Sequence, residues 1–100
     1  MEKHKIKIFP AAKRDLKDIV EYLNTLSPDA AVRKYDYMIE KIGSLSQMPE
    51  RCPMVRDSQL RLKGYRMLIV DNYKVFFVIR GNTVQIRRIL YGKMQYEWLL

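Results

Sequence analysis

Cysteine and histidine are nearly missing from this sequence, which has one of each, Cys52 and His4, in 100 residues. A lone cysteine excludes an internal disulfide and fits a reducing compartment. One histidine and one cysteine far apart give no metal-ligand spacing, so no metal and no cofactor are expected. Cys52, between Arg51 and Pro53 with no histidine partner in sight, reads as incidental, and His4 as a surface residue ahead of the first strand. The four glycines are scattered, and none belongs to a phosphate-cradling loop. No apolar run reaches the ~18 residues of a membrane span, and the opening MEKHKIKIF lacks a signal-peptide core. A soluble, cytoplasmic protein with no membrane partner is expected. Without repeats, low-complexity stretches or a linker, residues 1–100 read as one domain with a single modest core.

Acidic residues are also scarce, but only in one half. Residues 1–50 carry 9 Lys/Arg against 8 Asp/Glu; residues 51–100 carry 10 against 3, and seven of those ten are arginine. The formal charge of +8 is therefore concentrated in the second half. Arginine's planar fork suits phosphate and carboxylate, so an anionic partner is expected, either nucleic acid or an acidic protein segment.

The elements follow from periodicity. Lys5 to Phe9 alternates as a short strand, and Pro10 ends it and can open a helix. Ala12, Leu16, Ile19, Leu23 and Leu26 form a helical stripe widened by Val20. Ser27-Pro28-Asp29 restarts the chain with a capping serine, a proline and an acid. A second stripe runs through Ala31, Tyr35, Met38, Ile42, Leu45 and Met48 and stops at Pro49. So short a link makes the two helices an antiparallel hairpin. Pro49 to Gly64 reads as a loop with an extended piece near Leu60–Leu62. Three strands follow in YRMLIVD, KVFFVIR and TVQIRRIL, and Met94 to Leu100 fits a short terminal helix. The fold class is α+β, β-α-α-β-β-β, with the helical hairpin on one face of an antiparallel meander.

Register decides which side chains meet. A Gly81-Asn82 turn pairs Arg80 with Thr83, and therefore Ile79 with Val84, Phe77 with Ile86, Phe76 with Arg87 and Val75 with Arg88. Val75, Phe77, Ile79, Val84 and Ile86 mark the face that the helices cover. For the preceding turn, a two-residue loop would bury Arg66 on that face at a cost of several kcal/mol. A three-residue loop, 71–73, is therefore expected. It brings Arg66, Gln85, Arg87 and Tyr91 together on an open cationic face. Arginines there could stabilise charge building on a phosphodiester, and a tyrosine could move a proton if neighbouring cations lowered its pKa from about 10.

The stretches AAKRDLKDIVEYL, IGSLSQMPE, LKGYRMLIVDNYKVFFVI and IRRILYGKMQYEWLL, in this order in a basic chain of this length, resemble the RelE/ParE superfamily of bacterial type II toxin–antitoxin modules. The resemblance spans nearly the whole chain and implies a toxin held in check by an acidic or amphipathic antitoxin segment. RelE-like members cut mRNA on the ribosome without metal; ParE-like members poison DNA gyrase. Against the RelE pattern, Arg66 and Tyr91 match catalytic positions, and Arg87 lies on the matching strand. Gln85 replaces a working arginine, and Asp57 and Gln59 stand where RelE has lysines. The resemblance thus implies Arg66, Arg87 and Tyr91 as catalytic candidates. Arg61, Lys63, Gln85, Arg88 and Lys93 are implied as contacts to RNA phosphate or antitoxin. Three functions follow: a ribosome-dependent mRNA endoribonuclease as the first expectation, a non-catalytic gyrase inhibitor, or a relic that only binds its antitoxin.

Overall fold

The computed structural model describes residues 3–93 and Leu100; the expected terminal helix over Met94 to Leu100 lies almost wholly outside the described residues. The elements are β1 (Lys5–Ile8), α1 (Pro10–Leu26), α2 (Pro28–Gly43), α3 (Ser58–Leu62), β2 (Arg66–Val70), β3 (Tyr73–Arg80) and β4 (Thr83–Tyr91). Two 3-10 turns, Ser44–Ser46 and Pro49–Arg51, follow α2. The sheet order is β1-β4-β3-β2. β2, β3 and β4 form the expected antiparallel meander, while β1 runs parallel to β4. The helical hairpin supplies the long crossover that a parallel neighbour requires.

Proline begins both long helices, at Pro10 and Pro28, where its missing N–H costs nothing. The Ser27 side chain accepts a hydrogen bond from the Ala30 amide at 3.3 Å. The hairpin turns its small and flexible residues, Ala12, Leu16, Met38 and Ile42, onto Val75, Phe77, Val84, Ile86 and Ile89. This is the covered face that the alternation in β3 and β4 predicts.

The opposite face is not open. Val55, Leu60 and Tyr65 close over Phe76, Val78 and Leu90, with Met67 and Leu100 partly packed against them. The connector read as a loop thus contains α3 and a second small core. Asp57 caps α3 by accepting from the Leu60 amide at 3.0 Å. The helix ends in a Schellman motif: Gly64, at φ 87°, donates to Arg61 O, and Tyr65 donates to Leu60 O. Leu60 and Tyr65, which bracket the motif, pack in the same cluster. VFFVI, Val75 to Ile79, is a continuous apolar run because β3 is buried on both faces.

Two register expectations are corrected. The β2–β3 loop has two residues, Asp71-Asn72, so Val70 pairs with Tyr73 and Arg66 with Phe77. Asp71 supplies the positive φ the tight turn needs, at 53°. The second correction lies between Phe76 and Phe77, where the β3–β4 ladder carries a bulge. The pairs from Arg80–Thr83 to Phe77–Ile86 are as expected, but Phe76 then meets Arg88 and Val75 meets Ile89, leaving Arg87 as the extra residue. Without that shift Arg88 would lie opposite fully buried Val75. With it, Ile89 fills the core and Leu90 the second cluster.

Asp15 of α1 holds the bulge. Its carboxylate accepts from Arg88 Nε at 2.7 Å, from Arg88 Nη2 at 3.0 Å and from the Ile89 amide at 2.9 Å. The Arg88 pKa is raised by its hydrogen bond to Asp15, against the effect of burial. Asp15→Ala should cost about 2–3 kcal/mol in urea unfolding, since it removes charge-assisted bonds at a half-buried site. Asp15→Asn, which keeps an acceptor, should cost less. A change below about 0.5 kcal/mol in the alanine variant would mean that the bulge does not depend on this contact.

Cys52 joins the main core, and burial pushes its thiol pKa up against the opposing pull of Arg51 and Arg66. Folding therefore disfavours the thiolate, and the associated stabilisation is lost as pH rises past the unfolded value near 8.5. At pH 8 a thiol reagent should react at least about tenfold more slowly with the native protein than in urea. Equal rates would contradict the burial.

Candidate functional site

The three residues expected to form a catalytic group are not brought together. Arg66 lies on β2, an edge strand, on the helix-facing side of the sheet. Its Nη1 donates to the carbonyls of Cys52 at 2.7 Å and Glu50 at 3.1 Å. These two bonds answer the desolvation argument that favoured the longer loop. At a sheet edge the guanidinium finds backbone acceptors and stays half-exposed. Tyr91, moved by the bulge, stands opposite Tyr73 at the far end of the ladder. Their rings meet edge to face with centroids 5.9 Å apart. Tyr91 shares a shallow hollow of about 160 Å³ with Lys74 and Lys93. Of the expected contact residues, therefore, Lys93 lies beside Tyr91. Burial raises the pKa of the neighbouring Tyr73, with Lys34 acting the other way.

Arg87 has a different setting. Its guanidinium lies over the ring of Phe9 at 4.8 Å and near the ring of Tyr65 at 5.7 Å. Nη1 makes a long bond, 3.4 Å, to Gln85 Oε1, so the Gln85–Arg87 neighbourhood is as expected. Phe9, Tyr65 and Arg87 line a cavity of about 260 Å³ with Pro10, Ala11, Arg88 and Leu100. Phe9 and Tyr65 carried no signal as partners of Arg87, because they sit on separate elements that only the fold joins.

The remaining basic candidates divide. Arg88 is engaged by Asp15. Arg61 lies exposed on α3, and Lys63 exposed at its end. The Lys63 carbonyl accepts from Arg80 Nη2 at 3.0 Å. Asp57, one of the positions that departs from the RelE lysines, is the α3 cap.

The helical hairpin carries a surface that the stripes understated. Tyr22, Leu26, Val32, Tyr35, Tyr37 and Ile39 are exposed, Tyr22 at 63% and Leu26 at 66%. Tyr35 and Ile39 join Ile8, Leu16 and Val20 in an apolar groove of about 440 Å³, flanked by Lys13 and Lys17. Leu26, Tyr35 and Met48, read as core positions, face solvent instead. The sheet is too narrow to cover both sides of two helices. Among the described residues no group of three or more His, Cys, Asp or Glu side chains could hold a metal ion, and no helix is long and apolar enough to cross a membrane.

Residues 6–96 match the family described as ParE toxin of type II toxin–antitoxin system, parDE. No curated protein matches the chain. Among solved structures, a chain of the chromosomal ParDE toxin–antitoxin system from P. aeruginosa is 23% identical, with 91% of this chain and 98% of that one aligned at a TM-score of 0.76. A chain of the RelBE2 toxin–antitoxin complex from Mycobacterium tuberculosis is 22% identical, with 89% and 98% aligned at a TM-score of 0.58. At these identities the two structures establish the fold.

The geometry makes Arg66 a clamp on its own connector. Arg66→Ala should therefore lower stability by about 1–2 kcal/mol in urea unfolding. Loss of function without loss of stability would instead place Arg66 in a site that acts on a ligand.

Proposed function

This chain belongs to the ParE toxin family of type II toxin–antitoxin systems, and from that premise we propose that it arrests growth by binding a protein target, DNA gyrase, rather than by cutting mRNA. The observation that carries this reading is the helical hairpin, which presents six large apolar side chains to solvent. Exposed apolar and aromatic side chains rimmed by charge are the signature of a protein–protein interface, and here Tyr35 and Ile39 share one apolar groove with Ile8, Leu16 and Val20 beside Lys13 and Lys17. Tyrosine is a frequent anchor in such interfaces. The separation of Arg66, Arg87 and Tyr91 supports the same reading. A general acid, a base and charge-stabilising groups must reach one phosphorus within hydrogen-bond distance. Here one arginine holds carbonyls, another lies over aromatic rings at the bulge, and the tyrosine stands beyond the bulge at the C-terminal end of β4, opposite Tyr73.

The ribonuclease remains the second reading, on one observation: Tyr91, Lys74 and Lys93 line a common hollow. Both readings place the toxin in the cytoplasm with an antitoxin as its partner. They differ in the target, which is gyrase in the first and the ribosome with its mRNA in the second.

Pulse labelling after induced expression separates them. DNA synthesis should fall while protein synthesis continues, and Tyr91→Phe should remain as toxic as the wild type. Ile39→Glu, placed on the exposed hairpin, should relieve toxicity without changing the melting temperature by more than a few degrees. Loss of protein synthesis that Tyr91→Phe relieves would overturn the gyrase reading in favour of the nuclease.

A further inference from the structure

We propose that the cavity around Arg87 is a receptor for a single carboxylate side chain, an aspartate or glutamate offered by an acidic segment of a protein partner. The inference rests on the reading that an acidic antitoxin segment covers the basic half of the chain.

Three features carry it. First, the Arg87 guanidinium is already oriented: Phe9 and Tyr65 hold it at 4.8 Å and 5.7 Å from their ring centroids. A planar fork fixed in this way loses little freedom when a carboxylate docks. Second, no carboxylate among the described residues answers its charge. The ion pairs among the described residues are His4–Glu50, Lys17–Glu21, Lys34–Asp71 and Arg88–Asp15, and none involves Arg87. Among the described residues its side chain makes a long hydrogen bond, 3.4 Å, to neutral Gln85. Arg88, two atoms of which hold Asp15, shows what a carboxylate does for the neighbouring arginine. Third, the cavity has the right size and lining. At about 260 Å³, walled by Phe9, Tyr65, Pro10, Ala11 and Leu100, it accommodates one side chain with its apolar stem. Apolar walls strengthen a charge-assisted bond formed among them. The bulge makes the arrangement possible, since Arg87 is the residue the ladder does not pair.

A carboxylate is favoured over a nucleic-acid phosphate because Phe9, Pro10, Ala11, Tyr65 and Leu100 make much of the wall apolar, and of the two guanidiniums that line it only that of Arg87 has no carboxylate partner among the described residues. A polyanion would be followed along its backbone by a row of cations. Here Arg88, which also lines the cavity, is engaged by Asp15.

The test uses two short peptides, acetyl-Leu-Glu-Leu-amide and its Leu-Gln-Leu counterpart, with inorganic phosphate as a third probe. They are titrated into isotope-labelled protein while the Arg87 side-chain Nε–H and the Phe9 and Tyr65 rings are followed by NMR. The glutamate peptide should shift all three saturably and bind at least about tenfold more tightly than the glutamine peptide, in proportion to one charge-assisted bond. Arg87→Gln should erase that difference. Arg87→Lys, which keeps the charge but not the fork, should retain only part of it. Equal binding of the two peptides, or a preference that survives in Arg87→Gln, would overturn the proposal. So would displacement of the glutamate peptide by lower concentrations of phosphate, which would mark a phosphate site. The gyrase reading stands or falls separately, on the pulse-labelling result.

Discussion

The carboxylate of Asp15 is the contact on which the functional surface depends. It ties α1 to the one place where β4 departs from regular pairing, through Nε and Nη2 of Arg88 and the Ile89 amide. A bulge leaves backbone groups unpaired and needs an acceptor from outside the ladder. Asp15 provides it and at the same time neutralises the arginine that the bulge displaces. Everything C-terminal to that point follows from the shift by one. Ile89 enters the main core, Leu90 enters the second cluster, and Tyr91 meets Tyr73. A regular ladder would reverse all three, because successive residues on a strand alternate faces.

The same constraint changes what the basic half of the molecule means. A net charge read from sequence counts every arginine as available to a partner. The fold uses most of them internally. Arg51 donates to the carbonyls of Ser44, Gln47 and Met48, closing the end of the hairpin. Arg66 holds Glu50 and Cys52, Arg80 holds Lys63, and Arg88 holds Asp15. These arginines act as multivalent donors for a connector poor in regular hydrogen bonding. The long-range field of a strongly cationic protein persists, because a bond to a neutral carbonyl leaves the charge in place. Short-range recognition is another matter, since bonds to carbonyls fix a guanidinium's orientation and use part of its donor set. Arg87 differs in lying over two aromatic rings, with only a long contact to Gln85 as its acceptor among the described residues.

The architecture was legible where a local signal specified it. Pro10 and Ser27-Pro28 marked both helix starts, Gly81-Asn82 marked the hairpin turn, and the alternation from Val75 to Ile86 identified the covered face. The α3 helix was hidden by its length. Five residues cannot show a period, although its Asp57 cap and its Gly64 terminus were both present in the sequence. The site was less legible, for a different reason. Whether Arg66 points to one face or the other depended on a loop of two residues or three, and the burial cost that argued for three overlooked the carbonyls at the sheet edge. The bulge had no local signature, because the residue that requires it, Asp15, lies far away on α1. A register derived by counting from a turn holds only as far as the first bulge. Tyr91 was beyond it.

The hairpin shows why such a chain is built to be covered. Its inward side uses Ala12, Ala31 and other compact residues to bring the helices close to each other and to the sheet. That leaves the outward side free of any packing duty, and a surface selected only for solubility would be filled with lysine and glutamate. Instead it carries Tyr22, Val32, Tyr35, Tyr37 and Ile39. Exposed groups of this kind contribute little to folding and raise the risk of self-association. The net charge of +8 opposes that association between copies while attracting acidic partners. Apolar contact and charge therefore divide the work. On the proposed reading, the hairpin offers area to a protein surface of any sign, and the basic half selects among such surfaces by their acidity. The Arg87 cavity, where the cation is caged by rings beside the start of α1, is where the two kinds of recognition come closest together.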